Sequence, residues 1–300
     1  MDRLESMAIF LAVVDEGGFA AAARKMKISP PAVTRAVGEL ETAMGVRLLT
    51  RTTRVVRVTE VGARYASDCR RVLADITDME DQASGAHAAV RGRIVVTAPA
   101  LFGRMYVTPV VLAYLRRYPE AEVECRFADR VVNMMEEGVD VAIRIGQLQD
   151  SSYQAVPVGT VRRVVCASPS YLEAHGTPLA PADLKQHVIV SARGVTPSPD
   201  WRFMKDDTAV SVRVQPRLSV MSNDEAIIAA TDGFGMTRVL SYMVAPQLSD
   251  GRLVEVLRAH ETAALPVHVM HHEGRHAARK VRAFLDMAIQ ELRGASAVSA

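Results

Sequence analysis

The chain has only three cysteines, Cys69, Cys125 and Cys166, far apart and odd in number. That argues against a disulfide framework and fits a reducing cytoplasm. Apolar residues are plentiful, yet no run is long and apolar enough to span a bilayer. Residues 1–14 carry Asp2 and Glu5 and interrupt their apolar positions at helical spacing, unlike a secretory signal. No Gly-rich loop leads into a helix, and no Asp or Glu is spaced to work with His or Ser. Phosphate-binding and hydrolytic motifs are therefore lacking, and no catalytic residue or cofactor is assigned. Histidines crowd only at residues 268–276, where His268, His271, His272, Glu273 and His276 match no standard zinc spacing. The expectation there is an exposed loop rather than a metal site. The run Asp232-Gly233-Phe234-Gly235 reads as a turn.

What is present begins at residues 19–60. Ser29 is placed as an N-cap and Pro30 suits the first helical position, where a missing N–H costs nothing. Val33, Val37, Leu40 and Met44 then repeat at helical period, and Gly45 can take the left-handed conformation that ends a helix. Opposite that stripe lie Pro31, Thr34, Arg35 and Gly38, short or donor-bearing, so the backbone can enter a major groove and Arg35 can reach a guanine edge or a phosphate. Taken alone this is equally an ordinary amphipathic helix. Its neighbours decide. Leu4, Met7, Leu11 and Val14 form an earlier stripe, Gly17-Gly18 breaks the chain, and residues 19–26 form an alanine-rich helix able to pack closely on its successor.

Downstream, residues 46–58 alternate apolar positions with Arg47, Arg51, Arg54 and Arg57, as a basic two-stranded wing would. From Arg24 to Arg57 there are eight Lys or Arg against two Glu, a local charge of +6 in a chain whose total is +2. Attraction to phosphate is concentrated in this segment. The reading is a winged helix-turn-helix that binds double-stranded DNA.

The order Ala20-Ala21-Ala22-Ala23, Ser29, Ala32-Val33-Thr34-Arg35, Leu40-Glu41, Gly45-Val46-Arg47-Leu48-Leu49, Arg51 and Val58-Thr59-Glu60-Val61-Gly62 resembles the N-terminal domain of LysR-type transcriptional regulators. That family often has Gln where this chain has Pro30, and Phe where it has Leu49. The resemblance implies a DNA-reading role for Ser29, Thr34, Arg35, Arg51 and Arg54, to which the polar face of the helix adds Pro31.

Thr59 is placed to cap a further helix in which Tyr65, Cys69, Val72, Ile76, Met79, Ala83, Ala86 and Val90 recur at heptad spacing. This predicts a dimerisation helix, with burial against its own domain as the alternative. A dimer would set two reading helices roughly 34 Å apart along the duplex, or a multiple of that, on an interrupted inverted repeat. The family resemblance implies pairing through such a linker helix and, commonly, homotetramers.

From Gly92 onward strand-like apolar runs alternate with helical stretches, an α/β pattern long enough for two lobes and a cleft. Strands are expected at residues 93–97, 122–127, 139–145, 155–158, 161–167, 218–221 and 267–271, with a hairpin over 201–214. Helices are expected at 102–118, 131–137, from Pro169, at 181–185, 224–231 and 277–292, the last folding back on the first lobe. Residues 139–146, 167–172 and 251–257 are similar to the effector-binding domain of the same family, which implies a two-lobed, periplasmic-binding-protein-like fold holding a small-molecule effector between the lobes. The division is thus residues 1–60 for DNA, 61–91 for the linker helix and 92–300 for the effector.

In open α/β sheets ligands collect beyond the carboxyl ends of strands. Those ends supply Pro99, Ala100, Leu101 and Phe102, Gly146, and Ser222 with Asn223; Arg144, Trp201 and Thr237 are further candidates. Each of the last three has an ordinary alternative: an internal ion pair, core packing and a strand end. Leu101 and Phe102 would add apolar surface, favouring a metabolite with an aromatic or apolar part. The rival functional class is a DNA-tethered enzyme, or a metal or redox sensor, built on the α/β half.

Overall fold

The computed structural model describes the chain except for residues 1, 52–55, 84–89, 149–152, 193–197, 207, 272–277 and 299–300, with backbone alone at 51, 71, 74, 75, 77–83 and 297. Two compact units result, residues 1–89 with 133–138, and residues 90–132 with 139–300.

In the first unit, α1 (Arg3–Asp15) packs across α2 (Phe19–Met26) and α3 (Pro30–Met44). The capping signals act as read: Ser29 is extended and its Oγ accepts from the amide of Ala32, and Gly45 closes α3 at φ +68°. Val33, Ala36, Val37 and Leu40 are buried with Ile9, Phe10 and Val13 of α1 and Ala22 and Ala23 of α2. The alanines let α2 approach closely. The wing is β1 (Leu49–Arg51) paired antiparallel with β2 (Val56–Val58), Leu49 opposite Val58. Thr59 Oγ1 accepts from the amide of Gly62 at 2.9 Å and so caps α4 (Glu60–Ala83). Tyr65, Ala66, Cys69 and Leu73 of α4 belong to the same core. The first residues of the expected heptad seam are thus turned into their own domain, whereas Val61 and Val72 are exposed. Ala86 lies outside the described residues, as do the side chains of Met79 and Ala83.

The second unit starts with β3 (Gly92–Thr97), α5 (Ala100–Phe102), α6 (Thr108–Arg117), β4 (Ala121–Cys125), β5 (Val141–Ile145) and β6 (Gln154–Val161). It continues through β7 (Arg163–Ala167), α7 (Pro169–His175), β8 (Ile189–Ala192), β9 (Asp200–Lys205), β10 (Thr208–Arg213) and β11 (Pro216–Val220). It ends with α8 (Asn223–Thr231), β12 (Met236–Leu240), α9 (Ser241–Ser249), β13 (Val254–Val256), β14 (Leu265–His271) and α10 (Arg279–Gly294). One five-stranded sheet has the order β4-β3-β5-β14-β6, the other β11-β8-β12-β7-β13, and β9 with β10 forms a separate hairpin. Each sheet is the base of one lobe. α10 buries Val281, Phe284, Leu285, Ala288 and Leu292 and packs on α6, β3, β6 and β14, returning to the first lobe as its apolar stripe requires.

The chain leaves the first sheet for the second at Arg162, whose guanidinium donates to both oxygens of Glu261 and to Glu255, each at 2.8 Å. Between α5 and α6, residues Gly103–Val107 form a π-turn. Gly103 is required there, because a Cβ would lie 2.3 Å from the ring of Phe127.

Some expectations are corrected. Residues 131–137 are not helical: a turn occupies 134–138, and Asn133 Oδ1 accepts from the amides of Met135 and Glu136, a local bond that competes with a helix. β8, β12, β13 and α9 had no counterpart among the expected elements. The turn at residues 232–235 is present, with Gly233 at φ +84°. His268 and His271 are in β14, opposite Arg144 and Val141, where the strand over residues 267–271 was expected, and His271 is buried rather than exposed. Residues 272–276 lie outside the described residues, among which no metal-binding group occurs. No helix among the described residues is long and apolar enough to cross a membrane.

Candidate DNA-reading face and effector cleft

Burial of the Val33, Val37 and Leu40 stripe turns the other side of α3 outward, and Ser29, Pro31, Thr34 and Arg35 are all exposed. The end of α3 is tied to the wing by Glu41, whose Oε1 accepts from the amides of Leu48 and Leu49 at 2.7 and 3.0 Å. Helix and strand are therefore held in one geometry. Arg47 and Arg57 are exposed beside them; Arg51 contributes its backbone to β1, and Arg54 lies outside the described residues.

The α/β unit contains a cavity of about 280 Å³ at the carboxyl ends of β3, β5 and β12. Of the residues expected to line it, Pro99, Arg144 and Asn223 do so. Leu101 and Phe102 instead point into the main core, where Phe102 is fully buried. The apolar lining they were expected to supply is therefore not theirs to give. Ala100 donates its amide to Asp129, and Ser222 caps α8, its hydroxyl and amide both bonded to Glu225. Gly146, at φ +115°, donates its amide to Pro266. Thr237 is buried in β12, and Trp201 lies in the core beneath the β9–β10 hairpin.

The lining that sequence reading missed is cationic. Arg130, Arg163 and Arg238 join Arg144, against the single carboxylate of Asp129. The Arg238 guanidinium lies 4.9 Å from the centroid of Trp201 and 5.8 Å from that of Phe203, and donates to the carbonyl of Arg202 at 3.3 Å. Burial, with the charge of Arg163 beside it, lowers its pKa to about 10, which leaves it a cation at neutral pH. Tyr242 also lines the cavity; its ring is fully buried and meets Phe102 and Tyr106 edge-on at 5.1 and 5.8 Å. Burial drives its phenol pKa far up, so it is a neutral donor. An arginine set in an apolar strand, as in Val161-Arg162-Arg163-Val164-Val165 and Met236-Thr237-Arg238-Val239-Leu240, was the available signal.

Comparison with known proteins agrees with both halves. Residues 4–63 match the model of the bacterial regulatory helix-turn-helix protein, lysR family, and residues 87–293 match that of the LysR substrate binding domain. The chain is 32% identical over 292 residues to an HTH-type transcriptional repressor of Pseudomonas aeruginosa, covering 97% of this chain and 92% of that protein. It is 30% identical over 275 residues to the HTH-type transcriptional activator AaeR of Escherichia coli K12, covering 91% and 88%. The structure of CrgA, a LysR-type transcriptional regulator from Neisseria meningitidis, superposes with a TM-score of 0.62 at 27% identity over 96% of this chain and 98% of that one. Exposed second helix of the helix-turn-helix, ligand-sized cleft and matched domains together place this chain in the LysR family of bacterial transcriptional regulators, with a helix-turn-helix domain followed by an effector-binding domain.

Proposed function

We propose that residues 1–60 read an interrupted inverted repeat in duplex DNA, that residues 61–91 pair the subunits, and that residues 92–300 bind a small effector that changes how the assembly sits on DNA. Ser29, Pro31, Thr34 and Arg35 face the major groove, with Arg35 reading a base edge, while Arg51 and Arg54 of the wing hold phosphate. The pairing is a homodimer, two of which form a homotetramer in the cytoplasm. The cleft binds its ligand without transforming it. The observation that carries this reading is the outward face of α3, where Thr34 and Arg35 are exposed opposite a buried apolar stripe.

The test is selection of bound genomic DNA by the purified protein at near-physiological salt, beside Arg35→Ala. An inverted repeat recovered by the parent and lost by the variant supports the assignment; a site recovered equally by both removes Arg35 as reader. Arg54→Ala should instead weaken binding to all sequences and lower the salt dependence.

A further inference from the structure

Arg163 and Arg238 lie on the same face of neighbouring strands. In the antiparallel pairing of β7 with β12, Arg163 is opposite Leu240 and Arg238 opposite Val165, so the two side chains are diagonal neighbours. Both line the cavity. Neither forms an ion pair with a carboxylate among the described residues, whereas Arg162, next in sequence and on the other face, is saturated by Glu255 and Glu261. Two adjacent cations with no carboxylate paired to either repel each other in a partly desolvated site, and an anion seated between them would relieve that repulsion.

The placement of Arg238 is fixed independently of any ligand. Its plane rests on Trp201 and Phe203, and one amino group is bound to the Arg202 carbonyl. A guanidinium held in this way presents its remaining donors as a rigid fork, matched to a planar carboxylate. A second observation points to the same cavity: the hydroxyl of Tyr242, fully buried, has no hydrogen-bond partner among the described residues. A buried donor without an acceptor has lost its hydration uncompensated, a cost that a ligand oxygen would relieve.

We infer that the cleft is selective for a small organic carboxylate, its carboxyl group seated on Arg163 and Arg238 and a further oxygen accepting from Tyr242. This deepens the effector reading above and rests on it. The cavity, at about 280 Å³, suits a compact metabolite rather than a nucleotide.

The experiment compares the full-length protein with Arg163→Gln, Arg238→Gln and the remote control Arg252→Gln by thermal shift and calorimetry in carboxylate-free buffer. The probes are benzoate against benzamide and succinate against succinamide. The expected result is that at least one carboxylate stabilises the parent while its amide does not. Affinity should fall about tenfold to a hundredfold in Arg163→Gln, the range for a lost charged hydrogen bond, and stay unchanged in Arg252→Gln. Arg163 is exposed, so its variant remains informative even if Arg238→Gln fails to fold. Carboxylate and amide binding alike, neither binding, or an Arg163→Gln variant that binds as the parent does would overturn the inference. Ala128→Trp, which fills the cavity from its wall, separates the two levels. Amide binding abolished by Ala128→Trp rejects the anion but leaves the cleft as the effector site, whereas binding indifferent to Ala128→Trp rejects the cleft itself.

Discussion

The carboxylate of Glu41, near the end of α3, accepts a hydrogen bond from the backbone amide of Leu48, at the start of the wing, at 2.7 Å. The same oxygen accepts from Leu49. Glu41→Ala leaves two half-buried amides without this partner and should destabilise the DNA-binding domain by about 1–3 kcal/mol. Its first denaturant-induced transition should move to lower guanidinium concentration while the α/β domain unfolds as before. Equal midpoints would show that the bond contributes nothing.

Gly62 marks a second close approach in that domain. A Cβ at this position would lie 2.0 Å from the carbonyl oxygen of Leu48. Gly62→Ala should therefore force α4 away from the wing, at a cost of about 1–3 kcal/mol typical of overpacking, and weaken DNA binding without touching any contact residue. Thermal melting and fluorescence anisotropy on one operator duplex would check both effects; a variant melting with the parent would mean the helix shifts freely.

His187 gives the α/β domain an acid sensitivity. Burial, and then the charge of His175, hold its pKa below the ordinary imidazole value of 6.5, while Asp183 opposes them weakly. Its neutral ring is 3.3 Å from the hydroxyl of Tyr171. A base with a lowered folded pKa contributes stability that is complete above its unfolded pKa and is lost as pH falls from 6.5 toward the lowered value. The drop in Tm between pH 7.5 and pH 5 should accordingly be smaller in His187→Gln than in the parent; parallel curves would assign the pH effect to other groups.

The three thiols should react unequally. Cys69 and Cys166 are buried, and burial raises Cys166 to about 12. Cys125 is exposed, though partial burial and the neighbouring Glu124 raise its pKa as well. Iodoacetamide at pH 8 should label Cys125 first, more slowly than a free cysteine, and the other two only after unfolding. Peptide mass spectrometry that found Cys166 labelled as fast would contradict its burial.

The DNA-binding half was legible because its signals are local. Ser29 and Gly45 bound α3 through their own backbone preferences, and the Val33, Val37 and Leu40 stripe tells which face is buried. The α/β half was legible wherever strands were long or followed by capped helices, as at β3 and α8. It failed at β8 and β12, which are short and buried within the sheet, so that no alternation separates them from any other apolar run. The 131–137 helix failed because Asn133 bonds its own neighbours. Leu101 and Phe102 sit at the strand end as reasoned, but a position along the chain does not tell which way a side chain turns. Arg163 and Arg238 come together only through the pairing of β7 with β12, a relationship no local pattern records.

The π-turn at Gly103–Val107 amounts to one surplus residue wound into the helix. In an α-helix each residue advances the face by about 100°, so everything after the turn is rotated relative to everything before it. The start of this helix and α6 are thus written in different reading frames. The frame before the turn carries Leu101 and Phe102 into the core, and the α6 frame carries the packing of Tyr114 against Phe284. The extra residue sits at the joint between two sets of side chains that reach one core from different helical frames.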